Sequence, residues 1–276
     1  MVKAGPELRQ IVAILEKMCR DMSNGPLHLD LIGINVHCFL ACLCISEILE
    51  LIFIFIHGAG GTPAVWRLQT SHFKDSVAVE LSGHPTGSSL TSITDYAQSV
   101  RDQIRQHRWR DIILVGHSMG GAIALELALG NEDLRGLALV GTGGRLQVLP
   151  EFISEVKENY EKAAKLIASW SVSPHSDPII ADRLAGDLLK VKAQVTLGDF
   201  LACDKFDRMN DLEKVTCRTL VVCGEDDKMT PKKYSSYLHE KIRNSKLEII
   251  PGAGHIVMVE KHRAFNQAVE RFVASL

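Results

Sequence analysis

Apolar residues first recur at helical spacing, with Leu8, Ile11, Val12, Leu15, Met18, Cys19 and Met22 on one stripe before Gly25 and Pro26 stop the pattern. The period then shortens to two. "LHLDL", residues 27–31, alternates apolar and polar positions, Ile32 and Gly33 permit a turn, and "INVHCFLA" puts Ile34, Val36 and Cys38 on one face, which predicts a hairpin. "LIFIFI", residues 51–56, has no polar position, the pattern of a strand buried on both faces of a parallel sheet. Further strands are predicted at 77–81, 112–115, 137–140, 220–223 and 247–250. Helices are predicted at 62–73, 93–107, 120–129 and 231–242, with a closing helix over 260–276. This alternation predicts an α/β fold: a mostly parallel, twisted sheet with helices on both faces.

The alternation lapses after Gly144. "EFISEVKENYEKAAKLIASW", residues 151–170, reads as helical, and Pro150, Pro174 and Pro178 punctuate the segment as turns between short helices require. Residues 145–212 are therefore expected to form a helical lid inserted between two parts of one core, 27–144 and 213–276. Residues 1–26 are expected to form a helical extension that covers an apolar patch, with a membrane-surface or partner helix as the sharper alternative. The apolar stretch 31–56 is long enough on count alone to span a bilayer. Asn35, His37, Glu47 and Glu50 argue against that, since an acidic residue near the bilayer centre costs about 2.5–3.5 kcal/mol.

Composition changes this picture little. The 276 residues suit one large domain or one domain with an insertion, and 46% hydrophobic with 23% charged residues is ordinary for a globular protein. A net charge of -2 with both signs interspersed argues against nucleic acid as a partner. Seven cysteines form an odd set without CxxC or metal-finger spacing. They are read as reduced, and with no secretory leader in the sequence a cytoplasmic setting is expected.

The chemistry is concentrated in four short stretches. In "ILVGHSMGG", residues 113–121, a buried strand turns sharply into a helix at Ser118. Side chains two residues either side would collide there, so Gly116 and Gly120 have a physical reason. The serine hydroxyl is left exposed at the strand end, and the Met119 N–H at the helix start can donate to a developing oxyanion. "IFIHGAGG", residues 54–61, offers the Ala59 N–H as a second donor. A phosphate-cradling loop is the rival, but neither the lysine of GxxxxGK[ST] nor GxGxxG spacing is present. "GEDDKMTP" places Asp226 and Asp227 after a buried strand, either of which can orient an imidazole. "PGAGH" places His255 after the final strand, in position to act as base toward Ser118. His57 and His84 are expected to hold loop backbone, and His117 to point away from the site. Phe152, Ile153, Trp170, Phe200 and Leu201 either line an apolar substrate pocket or pack the lid on the core.

The four stretches, in the order serine, acid, histidine, resemble the α/β-hydrolase superfamily, in particular its serine-nucleophile esterase and haloperoxidase-like members. "LDLIGINVH" is similar to the family's opening hairpin and "LVGTGGRLQVLP" to its strand-to-lid junction. The resemblance selects Asp227 over Asp226, as the third residue after the glycine in GxxD, and implies a lid. One departure is "CLCISEILEL", residues 42–51, which lacks the usual Gly/Pro-rich loop.

The function expected is a serine hydrolase acting on a carboxylic ester or related acyl bond of a small apolar substrate. Its triad would be Ser118, Asp227 and His255, with Ala59 and Met119 as oxyanion donors and Phe152, Trp170 and Phe200 at the substrate. No metal or organic cofactor is implied. The serine disfavours dehalogenase and epoxide hydrolase chemistry. Acyl transfer, thioester, lactone or carbon-carbon cleavage stay open, as do a ligand receptor with little turnover and the oligomeric state.

Overall fold

The computed structural model describes residues 51–130 and 133–276. The N-terminal helix, the hairpin and residues 42–50 lie outside them, so those expectations are not addressed by the structure.

Among the described residues six parallel strands form one sheet, β1 (Ile52–Ile56), β2 (Ser76–Ala78), β3 (Ile112–His117), β4 (Leu134–Val140), β5 (Thr219–Gly224) and β6 (Ser245–Ile250). Their order is β2-β1-β3-β4-β5-β6, with Ile54 opposite Leu114 and Leu114 opposite Leu137 in the central register. The apolar runs follow from burial on both faces. Ile54, Ile56, Ile112, Leu114, Leu137 and Leu139 point to one side, and Phe53, Phe55, Ile113, Val115, Ala138 and Val140 to the other. Full burial of each such side chain is worth about 1.5–3 kcal/mol.

The helices are α1 (Arg67–Thr70), α2 (Ile93–His107), α3 (Met119–Leu129), α4 (Pro150–Glu158), α5 (Tyr160–Ser171), α6 (Ile179–Leu188), α7 (Ala193–Asp204), α8 (Lys232–Lys241), α9 (Val257–Glu260) and α10 (His262–Val273). Helices α2, α3 and α8 cover one face of the sheet, and α10, with Trp66 and Phe73 from the segment around α1, covers the other. Helix α2 shows why the sequence starts it there. The Ser92 hydroxyl accepts from the Asp95 N–H at 3.1 Å and donates to the Asp95 carboxylate at 2.7 Å, and Ile93, Tyr96, Ala97, Val100 and Ile104 form the buried stripe. Helix α3 is apolar on every side because it is buried on every side, from Met119 through Leu125.

Three expected helices are shorter or broken. The pattern over 62–73 forms only a 3-10 turn, Pro63–Trp66, and α1. The run 151–170 breaks at Asn159, whose side chain caps α5 by accepting from the Lys162 N–H at 3.0 Å. The closing helix begins with a separate turn, α9, before α10. Helices α4 to α7 lie between β4 and β5 in the chain, where the lid was expected. Residues 51–56 form β1 and its lead-in, and among the described residues no helix is long and apolar enough to cross a membrane.

Because β1 connects to β2 on one side while β3 leads to β4 on the other, the lateral order of the strands reverses between the carboxyl ends of β1 and β3. In open parallel sheets, ligands bind at such a switch point.

Candidate active site

Both loops of interest lie at that point. β3 runs directly into Ser118, whose φ of 54° and ψ of -118° are strained for an L side chain. A Cβ on Gly116 would stand 2.1 Å from the Gly120 carbonyl oxygen, and one on Gly120 would stand 2.3 Å from the Ile56 carbonyl oxygen of β1. The two glycines thus let the elbow close on itself and press against the neighbouring strand. The strained residue is held from both sides: its N–H donates to Val140 O at 2.9 Å, and the Thr142 hydroxyl donates to its carbonyl at 2.9 Å. Met119 opens α3, where the first N–H groups lack intrahelical acceptors.

The acidic loop after β5 separates its two aspartates by function. Asp226 accepts from the Ser173 hydroxyl at 2.6 Å, while its N–H donates to Ala253 O at 2.8 Å, so it ties the inserted segment to the sheet. Asp227 is buried. Its Oδ1 accepts from the N–H groups of Met229 and Thr230, both at 2.9 Å, and its Oδ2 accepts from the Thr230 hydroxyl at 2.8 Å and from His255 Nδ1 at 2.9 Å. Burial alone would push its carboxyl up, but the adjacent His255 and these donors hold it below the usual carboxylate range.

With Nδ1 donating to Asp227, the neutral His255 ring leaves its lone pair on Nε2. Its backbone is fixed as well, since the His255 N–H donates to Ser171 O at 2.7 Å and its carbonyl accepts from His117 Nε2 at 3.0 Å. Glu260 supports the same loop by accepting from the N–H groups of Gly254 and Ser173, at 2.9 and 2.8 Å. His117 does not point away from the site as expected. Its ring packs 4.6 Å from the His255 ring and lines the cavity beside Ser118, where burial, and then the nearby His255, bring it down to about 3.

Two cavities meet at Ser118 and His255. One, of about 80 Å³, runs past Val65, Ile167, Leu184 and Leu188; the other, of about 320 Å³, runs past Phe152, Trp170 and Tyr234. Ala59 and Phe200 border both. Phe152, Trp170 and Phe200 are thus at the cavity wall, with Trp170 partly exposed at the opening, whereas Ile153 and Leu201 are not among the lining residues.

His57 and His84 hold loop backbone as expected. His57 Nδ1 donates to Gly58 O at 2.9 Å, and burial, with His84 nearby, lowers it to about 4. His84 also reaches a group that no motif pointed to. Asp199 of α7, fully buried, accepts from His84 Nε2 at 2.9 Å, from the Tyr96 hydroxyl at 2.6 Å and from the Gly60 N–H at 2.8 Å. The one signal for it in the sequence is an acid set between apolar positions in "VTLGDFLACD".

A strained serine at a strand-to-helix turn, beside a buried aspartate-histidine pair at the switch point of a parallel sheet, defines a hydrolase of the doubly wound α/β class. The sequence profile of the alpha/beta hydrolase family matches residues 53–268, and the chain belongs to that family. A solved structure described as a thermophilic esterase is 34% identical, with a TM-score of 0.73 over 83% of this chain and 91% of that one. The putative carbamate hydrolase RutD of Caulobacter sp. (strain K31) is 28% identical over 248 residues, covering 79% of this chain and 88% of the relative. The pimeloyl-[acyl-carrier protein] methyl ester esterase of Neisseria meningitidis serogroup A / serotype 4A (strain DSM 15465 / Z2491) is 26% identical over 227 residues, covering 76% and 69%.

Proposed function

We propose that the protein is a serine hydrolase that cleaves a carboxylic ester or related acyl bond of a small, largely apolar substrate. The observation that carries this reading is the 2.9 Å hydrogen bond from His255 Nδ1 to the buried Asp227 carboxylate, with that histidine and Ser118 on the wall of one cavity. Asp227 fixes the tautomer that leaves Nε2 free to take a proton. As the Ser118 oxygen bonds to the substrate carbonyl carbon, its proton passes to His255 Nε2, and the carbonyl π pair moves onto oxygen. The N–H groups of Met119 and Ala59 receive that oxyanion. Its collapse expels the alcohol oxygen, which takes the proton from His255, and water repeats the sequence on the acyl-enzyme. His117 does not compete as base, because burial keeps it neutral and its Nε2 is committed to the His255 carbonyl.

Residues 145–212 act as a lid in this reading, with Phe152, Trp170 and Phe200 shaping the space for the apolar part of the substrate. The esterase names of the 34% identical structure and of the Neisseria relative support ester cleavage. A cytoplasmic setting fits the described cysteines, Cys203, Cys217 and Cys223, all free thiols.

The test is turnover. Purified protein is expected to release p-nitrophenol continuously from a short-chain p-nitrophenyl ester and to take a fluorophosphonate label that Ser118→Ala abolishes. A burst that stops at one equivalent, or labelling that survives Ser118→Ala, refutes the reading.

A further inference from the structure

Asp199 lies on the inserted helix α7 yet bonds to the glycine-rich loop after β1, 139 residues away in the chain. The loop has few ways to fix itself. The Gly58 carbonyl accepts from the Gly61 N–H at 3.1 Å and from His57 Nδ1 at 2.9 Å, so the oxygen side of the Gly58–Ala59 peptide is held in place. A trans peptide directs its N–H opposite its carbonyl, so these bonds aim the Ala59 N–H away from His57. The next peptide ends in the Gly60 N–H, which donates to Asp199 Oδ2 at 2.8 Å. Gly60 has a φ of +63°, and a Cβ there would stand 3.0 Å from Thr196 of α7, so helix and loop are in close contact.

We propose that Asp199 is a positioning residue: from the inserted segment it anchors the Gly60 N–H and so holds the Ala59 N–H in register to receive the oxyanion formed on Ser118. This inference rests on the serine hydrolase reading above. It also explains why the carboxylate has a histidine beside it. A bare buried anion near the oxyanion position would oppose the charge that develops there. His84 faces carbonyl oxygen of Ser82 with Nδ1, at 3.3 Å, and Asp199 with Nε2, so both nitrogens donate and the ring balances the carboxylate charge. Helix α7 is then a fixed wall of the site, and any opening of the lid falls to the helices packed around it.

The experiment compares the full chain with Asp199→Ala and Asp199→Asn on a p-nitrophenyl ester and on a trifluoromethyl ketone. The ketone adds the Ser118 oxygen to its carbonyl carbon, the serine proton goes to His255, and the carbonyl oxygen becomes the oxyanion. Asp199→Ala is expected to lower kcat by about 10- to 100-fold, less than loss of a whole donor, with KM within about threefold and ketone affinity falling in parallel with kcat/KM. Asp199→Asn is expected to recover most of the loss, because its amide oxygen still accepts from Gly60 while the Tyr96 hydroxyl turns to accept from the amide NH2.

A folded Asp199→Ala with kcat within threefold of wild type overturns the proposal, as does a loss carried in KM alone or an Asn variant no better than Ala. Hydrogen exchange of the wild-type Gly60 amide gives a readout that needs no variant: protection is expected, and exchange at the rate of an exposed amide overturns the anchor. Wild type that neither turns over ester nor labels at Ser118 removes the hydrolase reading and this inference with it. Wild-type turnover with an unaffected Asp199→Ala removes the inference alone.

Discussion

Asp227 and Asp199 are both buried carboxylates, each 2.9 Å from a histidine nitrogen, yet the two pairs are built for different ends. The His255 ring has Nδ1 on its aspartate and lines the cavity beside Ser118, and in the proposed mechanism its Nε2 takes the proton that moves. The His84 ring has both nitrogens committed, one to Asp199 and one to the Ser82 carbonyl. The remaining donors to Asp227 come from its own loop, Met229 and Thr230, so that loop is a self-contained holder for one imidazole. The three donors to Asp199, Gly60, His84 and Tyr96, come from the loop after β1, the loop after β2 and helix α2, so it ties helix α7 to three separate parts of the fold. An aspartate-histidine pair therefore acts in acid-base chemistry only where its second nitrogen is left open at the nucleophile; with both nitrogens occupied it is a bracket.

The largest expected effect separates the pairs most sharply. His255→Ala should lower kcat by about 10⁶-fold, as loss of a triad base does elsewhere, with the fold retained. Asp227→Asn should lower kcat by about 10⁴-fold by favouring the wrong imidazole tautomer. Steady-state kinetics on one ester checks both. His84→Ala belongs on the other side of the comparison. It removes one partner of a buried pair and should lower stability by about 3–5 kcal/mol in denaturant unfolding, while kcat stays far above that of either triad variant. If His84→Ala lost as much turnover as His255→Ala with stability unchanged, the assignment of the two pairs would have to be reversed.

How legible each pair was in the sequence follows from the range of its contacts. Asp227 follows the buried apolar run of β5 and His255 follows β6, a half-exposed edge strand that ends in the apolar pair Ile249 and Ile250, each with glycines alongside, so strand end and candidate residue could be read together. The central strands β1, β3, β4 and β5 were legible because Ile, Val, Leu and Phe dominate both faces, whereas the edge strands β2 and β6 are mixed and only partly buried. Gly116 and Gly120 marked the elbow because a side chain there meets backbone at 2.1 and 2.3 Å. Asp199 left no such trace, since its partners are Gly60, His84 and Tyr96, more than 100 residues away, and nothing local requires an acid in α7. His117 was misjudged for a similar reason: its orientation is set by the His255 carbonyl, 138 residues away. The break at Asn159 was missed because asparagine is tolerated within a helical pattern, and only its capping bond shows that a new helix begins.

The pairs should also differ in how stability responds to pH. Burial pushes His84 down, but Asp199 together with the Ser82 and Leu81 backbone leaves it above the ordinary 6.5. The native state therefore binds that proton more tightly than the unfolded chain. Its contribution is complete below 6.5 and is lost as pH rises through the native value. Asp227 lies below its ordinary 3.8, so its contribution is present above that value and is lost as pH falls through the native one. The melting temperature gap between wild type and His84→Ala should narrow from pH 6 to pH 9, while the gap between wild type and Asp227→Asn should narrow only on the acid side. A His84 gap that stays constant across the alkaline range would mean the ring carries no extra proton in the native state.

The smallest expected effect tests whether the Asp199 bracket acts through all its partners or through Gly60. Tyr96 donates its hydroxyl to Asp199 Oδ1 at 2.6 Å, opposite the oxygen that holds Gly60, and also accepts from the Leu90 N–H at 3.1 Å. Tyr96→Phe removes a hydrogen bond to a charged group, worth about 1.5–3 kcal/mol, and leaves His84 and Gly60 on the carboxylate. For a chain of this size that corresponds to a fall of about 3–12 °C in Tm. Because the Ala59 N–H stays aimed, kcat should remain within about threefold of wild type. A variant that melts normally but loses kcat tenfold or more would instead make the tyrosine contact, and not the glycine contact, the one that governs the oxyanion loop.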